Sequence, residues 1–125
     1  MLLTYSNVKV FDNSGVFFVS CISLLGFSRK KGATIGEYFV ASIKKINTKK
    51  KKLKLQKGSI CLVLVIKIAR NIKRFGNYYI KSDLNGVILL NADKLPVATR
   101  FFGFLFQEIK YLKFFKVALL ANILI

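Results

Sequence analysis

Apolar and polar positions alternate in short runs broken by turn formers. Val8 and Val10 fall on one face of an alternating segment, Asn7 to Phe11. Longer β-prone runs follow at Val16 to Leu25, Tyr38 to Ile46 and Ile60 to Ala69, with shorter ones at Tyr78 to Lys81 and Gly86 to Leu90. The breaks between them are Asp12-Asn13-Ser14-Gly15, Lys31-Gly32, Lys57-Gly58, Phe75-Gly76-Asn77, Asp83-Leu84-Asn85-Gly86 and Asn91 to Pro96. Each is rich in residues that accept turn geometry or bond their own backbone. About six short strands at this spacing predict a small barrel or sandwich. A barrel disposes of edge strands by closure. After Pro96 the pattern loosens. Leu105, Ile109 and Leu112 recur at helical spacing, as do Phe106, Ile109 and Lys113, which predicts one or two short helices between Phe104 and Leu120. Helices that short must pack on the barrel to persist. The reading is one mainly β domain over residues 1–125, with the barrel in about 1–103 and a C-terminal helical part in about 104–125.

Charge changes the picture. Among 125 residues, 22 Lys and Arg face 5 Asp and Glu, a formal charge of +17, yet 54% of the chain is hydrophobic. Highly charged chains commonly fail to bury enough apolar surface to fold. Here the apolar content supports a core, and the charge calls for a polyanion, either nucleic acid or an anionic membrane. The basic residues are 18 Lys against 4 Arg, and Phe, Leu, Ile and Asn are also frequent. That bias matches A/T-rich codons, so single Lys or Phe residues carry little weight.

The cations cluster. Lys49, Lys50, Lys51 and Lys52, with Lys54 and Lys57, lie in a low-complexity stretch from Lys44 to Lys57 between two strands. Bound to RNA, such a loop releases counterions and makes affinity salt-dependent; a solvated loop and a nuclear localisation signal are the other readings. Arg29, Lys30 and Lys31 form a second cluster. Lys67, Arg70, Lys73 and Arg74 form a third, suited to a hairpin reaching into an RNA groove. The pairs Phe17-Phe18, Phe101-Phe102 and Phe114-Phe115 could stack on bases, but core filling is the simpler account.

Several chemistries lack residues. No His is present, and the five acids are scattered, so no general base or nucleophile pair assembles. Cys21 and Cys61 have no further soft ligands for zinc and read as buried free thiols, with one disulfide as the alternative. Asp83 to Gly86 lacks the remaining ligands of a calcium loop and reads as a turn. The longest purely apolar run, Ile60 to Ile66, falls far short of the ~20 residues of a membrane span. Val16 to Phe27 resembles a signal core, but Asp12 precedes it and no clean cleavage site follows. No enzyme, cofactor or metal is expected.

Taken in order, the motifs resemble those of the universal large-subunit ribosomal protein fourteen family. They are Val8-Lys9-Val10-Phe11-Asp12-Asn13-Ser14-Gly15, Cys21-Ile22, Leu24-Leu25-Gly26, Ser28-Arg29-Lys30-Lys31 and Ile35-Gly36-Glu37. Lys57-Gly58, Val87-Ile88-Leu89-Leu90-Asn91, Thr99-Arg100-Phe101-Phe102-Gly103 and Lys113-Phe114-Phe115-Lys116 complete the series. The resemblance runs end to end. It implies a five-stranded β-barrel with a C-terminal helical part and a structural, non-catalytic role on large-subunit rRNA. It implies contacts with neighbouring large-subunit proteins, a bridge to small-subunit rRNA, and reception of a ribosome silencing factor. Thr99, Arg100, Lys113, Phe114, Phe115 and Lys116 match the family's interface region. The RNA-facing candidates are Arg29, Lys30, Lys31, Lys44, Lys49 to Lys52, Lys54, Lys67, Arg70, Lys73, Arg74 and Arg100. An organellar ribosome, mitochondrial before plastid, is the expected place. A polybasic adaptor on an anionic membrane is the runner-up.

The departures from the family are specific. Ala98 replaces a Gly, Phe104 a Pro, and Leu119-Leu120-Ala121-Asn122 a Ser-Leu-Ala-Pro tail. Phe17, Phe18 and Leu62 are apolar where polar residues are common, and with the tail 123–125 they are candidates for docking an additional protein.

Overall fold

The computed structural model describes residues 2–25, 32–49, 55–112 and 114–125. Five strands close a barrel: β1 (Asn7–Val10), β2 (Val16–Leu24), β3 (Tyr38–Ile46), β4 (Ile60–Lys67) and β7 (Gly86–Leu90), in the order β1-β2-β3-β4-β7. Neighbours run antiparallel except at the closure, where β1 and β7 are parallel, with Lys9 opposite Gly86 and Val10 opposite Val87. Gly86 is required there. A Cβ on it would stand 2.6 Å from the Phe11 ring, so the last strand could not approach the first.

Alternation decides the interior. Val8, Val10, Val19, Cys21, Phe39, Ala41, Ile43, Val63, Val65, Val87 and Leu89 point inward and form one buried cluster. Period-2 geometry sends their neighbours outward. On β4 and β7 those neighbours, Leu64, Ile66, Ile88 and Leu90, are also buried, in a second cluster outside the barrel. Phe101, Leu105, Phe106, Ile109 and Val117, from the chain beyond Pro96, complete that second cluster. The C-terminal part thus packs on the barrel wall, as short helices must.

The tail differs from its predicted helix in one respect. Phe104–Leu105 forms a short strand, β8, paired in parallel with β9 (Ile123–Leu124). Gly103, at φ +79°, turns the backbone out of helical geometry just before it. The helices begin later, as α1 (Glu108–Tyr111) and α2 (Phe115–Leu119). The sixth expected strand also lies outside the barrel. It is β6 (Tyr78–Ile80), which pairs with β5 (Ile72–Arg74) in a separate hairpin. The expected run to Ala69 stops at Lys67 because the Ala69 N–H donates to Asn85 Oδ1 at 2.8 Å rather than to a strand. Cys21 lies in the barrel interior and Cys61 at its margin, both as free thiols. Burial, then the Asp12 charge, pushes the Cys61 thiol up to about 11, so it stays protonated at neutral pH.

Candidate nucleic-acid interface

Strand direction sorts the basic segments between the two barrel ends. The Asp12–Gly15 turn, the chain between β3 and β4, and the chain after β7 all emerge from one end. The segment between β2 and β3 and the β5–β6 hairpin emerge from the other. Arg29, Lys30, Lys31, Lys50, Lys51, Lys52, Lys54 and Lys113 lie outside the described residues.

The first end is organised by Asp12 and Asn13. Asp12 is buried; its carboxylate accepts from the Ser14 N–H at 2.9 Å, from the Ser14 hydroxyl, and from the Leu89 N–H at 3.1 Å. One carboxylate therefore folds the turn and fastens it to β7. The next residue reaches across 86 positions of sequence. Asn13 Oδ1 accepts from the N–H groups of Thr99 at 3.1 Å and Arg100 at 3.3 Å. Asn13 Nδ2 donates to Thr99 Oγ1 at 3.0 Å, and the Asn13 N–H donates to the Arg100 carbonyl at 3.2 Å. Thr99 and Arg100 are thereby held in place by their backbone and stay exposed to solvent. The root of the Lys-rich segment is fixed beside the same turn: the Asn47 N–H donates to the Gly15 carbonyl at 2.7 Å, and the Lys49 N–H to Asn47 Oδ1 at 3.1 Å. Lys44, Lys45 and Lys49 are exposed. The sequence singles out Thr99 and Arg100 as interface candidates but marks Asn13 only as a turn former within a family motif. Nothing local marks its amide as a clamp on a distant segment.

The cations of the other end divide. Arg70 and Lys73 are exposed. Lys67 is buried: its ammonium sits 4.0 Å from the Phe11 ring centroid and 4.5 Å from that of Phe104. Two aromatic faces stabilise the charge. Burial, then the neighbouring Lys9, pulls its pKa down. Arg74 is half-buried and forked onto Glu108, Nε to Oε1 at 2.7 Å and Nη2 to Oε2 at 2.8 Å, and Nη2 also donates to the Ile125 carbonyl. The hydrogen bond to Glu108 raises its pKa, while the same bond pulls the Glu108 carboxyl below its ordinary value. Lys67 and Arg74 thus face the protein interior and the C-terminal part. In that part Phe115 and Lys116 are exposed and Phe114 is half-buried. Lys94, which the sequence did not single out, sits 4.6 Å over the Tyr38 ring.

Among the described residues no three His, Cys, Asp or Glu side chains gather to hold a metal ion. No described helix is long and apolar enough to cross a membrane. A closed barrel that ties Asp12 and Glu108 internally and leaves most of its described Lys and Arg exposed defines a basic structural module.

Comparison with known proteins makes that class specific. The family model for ribosomal protein L14p/L23e matches residues 1–125, and the chain belongs to that family. It is 37% identical over 127 residues to the large ribosomal subunit protein uL14m of Acanthamoeba castellanii, covering 98% of each chain. It is 37% identical over 113 residues to the uL14m protein of Acanthamoeba polyphaga, covering 88% of this chain and 97% of that one. The chain is a structural, non-enzymatic constituent of the large ribosomal subunit. Its similarity to uL14m proteins supports a place in the mitochondrial ribosome.

Proposed function

We propose that this protein binds large-subunit rRNA with both ends of its barrel and offers the Thr99–Arg100 ledge to the opposite subunit. The observation that carries this reading is the Asn13 clamp. It presents Thr99 and Arg100 outward at the end from which the Lys-rich segment springs. A fixed backbone lets Arg100 recognise phosphate in a defined orientation, which a forked guanidinium exploits better than an ammonium.

The phosphate contacts fall to Arg29, Lys30, Lys31, Lys44, Lys49 to Lys52, Lys54, Arg70, Lys73 and Arg100. Lys67 and Arg74 act instead as internal ties that set where the hairpin and C-terminal part stand. Thr99, Arg100 and the segment from Lys113 to Lys116 form the surface for a small-subunit rRNA bridge and for a silencing factor that would compete with it. Neighbouring large-subunit proteins take up exposed apolar surface, with Phe17 and Phe18 among the candidates.

The test is to replace Lys49, Lys50, Lys51 and Lys52 with Ala and measure rRNA affinity at several salt concentrations. Each lost phosphate contact should flatten the slope of log affinity against log salt by about 0.7 to 0.9. Unchanged affinity and slope would remove this segment from the interface. On sucrose gradients the tagged protein should travel with large subunits, whereas a membrane-bound signal that survives ribonuclease would overturn the ribosomal reading.

A further inference from the structure

We propose that the outward face of the β5–β6 hairpin is a stacking site for unpaired RNA bases. This rests on the rRNA reading above and names which part of the RNA this end of the barrel engages.

The hairpin has two unlike faces. Its pairs are Ile72 with Ile80, Lys73 with Tyr79, and Arg74 with Tyr78. Ile72 and Ile80 pack against the second apolar cluster, and Arg74 is tied to Glu108. That side is spoken for. The other side carries the Lys73–Tyr79 pair, with exposed Lys81 just beyond Ile80. Tyr79 is 61% exposed, and Phe75 in the turn is fully exposed. Tyr78 is paired with Arg74 on the tied side of the hairpin and is left out of the site.

The charge says what kind of surface covers these rings. From residue 69 to residue 82 the chain holds Arg70, Lys73, Arg74 and Lys81 and no carboxylate. An apolar protein partner would cover the rings but strip water from Lys73 and Lys81 with nothing in return, at a large cost. A single RNA strand satisfies both, offering base faces to the rings and phosphates to the ammonium groups. Duplex RNA offers only phosphates and 2′-hydroxyls, because its bases are already stacked.

The experiment uses the full chain, two probes and three variants. The probes are an oligoadenylate of about ten nucleotides, within the range one small barrel covers, and an A-form duplex of equal length. Tyr79→Leu and Phe75→Leu keep apolar bulk but remove the π face. Each should weaken oligoadenylate binding about five- to a hundred-and-fiftyfold, the range of one base–aromatic stack, and leave duplex affinity and both salt slopes unchanged. Tyr79→Phe should bind like the parent. Parent-like oligoadenylate binding by both Leu variants overturns the proposal, and so does an equal loss on duplex. Either result leaves RNA binding itself standing. A parent chain that binds neither probe overturns the rRNA reading together with the stacking site.

Discussion

Strands β2 and β4 are built from nearly the same material and end up in different surroundings. Both are long apolar runs with one face lining the barrel. The other face of β4, Leu64 and Ile66, is sealed under the C-terminal part, together with Ile88 and Leu90 of β7. The other face of β2 stands in solvent, with Phe17, Phe18 and Ile22 each about 40% exposed. Hydrophobic content fixes that a strand has an inner face, not whether its outer face is covered. The covering is supplied by residues some forty positions further along the chain, as when Phe106 and Ile109 pack against β4.

Three measurements would break or sharpen this contrast. The largest effect is expected at the doubly covered wall. Phe106 is fully buried in the second cluster, and Phe106→Ala should cost about 3–5 kcal/mol in denaturant unfolding. We propose that barrel and C-terminal part unfold together, so a single transition with an unchanged slope is expected; a separate early transition of the tail would show two independent units.

The next effect is smaller and depends on pH. The folded-state pKa of Glu108 is held below its ordinary value of 4.5 by Arg74. The ion pair therefore contributes its full stability above that ordinary value and loses it as pH falls through the lower, folded-state value. Glu108→Gln should cost on the order of 1 kcal/mol at neutral pH, as expected for a single well-formed pair near the surface, and should flatten stability against pH in the acid range. A parent and variant with parallel acid profiles would show that Arg74 gains nothing from the carboxylate's charge.

The smallest effect is expected on the bare wall. Phe18→Ala should change the stability of the isolated chain by no more than about 1 kcal/mol, because the ring is already partly in water. A loss comparable with that of Phe106→Ala would mean that the outer face of β2 is covered after all.

The sequence made the barrel legible where alternation and turn formers are local, which is why the runs at β1 to β4 and β7 were found close to their ends. It gave β5 no strand of its own, only a basic run suited to a hairpin, because three residues carry too little alternation. It did not reveal β8 or β9, two-residue strands that exist only because separated segments meet, as Leu105 meets Leu124. The site divides in the same way. Thr99 and Arg100 were singled out as candidates by an ordered set of motifs, but the Asn13 clamp joins residues 86 positions apart. Lys67 and Arg74 read as ordinary members of a basic cluster. Nothing in their neighbours along the chain announces the rings of Phe11 and Phe104 or the carboxylate of Glu108.

The parallel closure of β1 on β7 also sets the order in which the molecule can be made. The first strand pairs with its antiparallel neighbour β2 early, but its other edge has no partner until Gly86 to Leu90 have been synthesised. Asp12 waits 77 residues for the Leu89 N–H, and Asn13 waits 86 for Thr99. Contacts so far apart in sequence slow folding, since a long loop must close before they form. Until then the nascent chain carries an open strand edge beside its apolar inner face. Its clustered Lys and Arg residues need no such closure, so under the rRNA binding proposed above RNA can capture the chain before the barrel shuts.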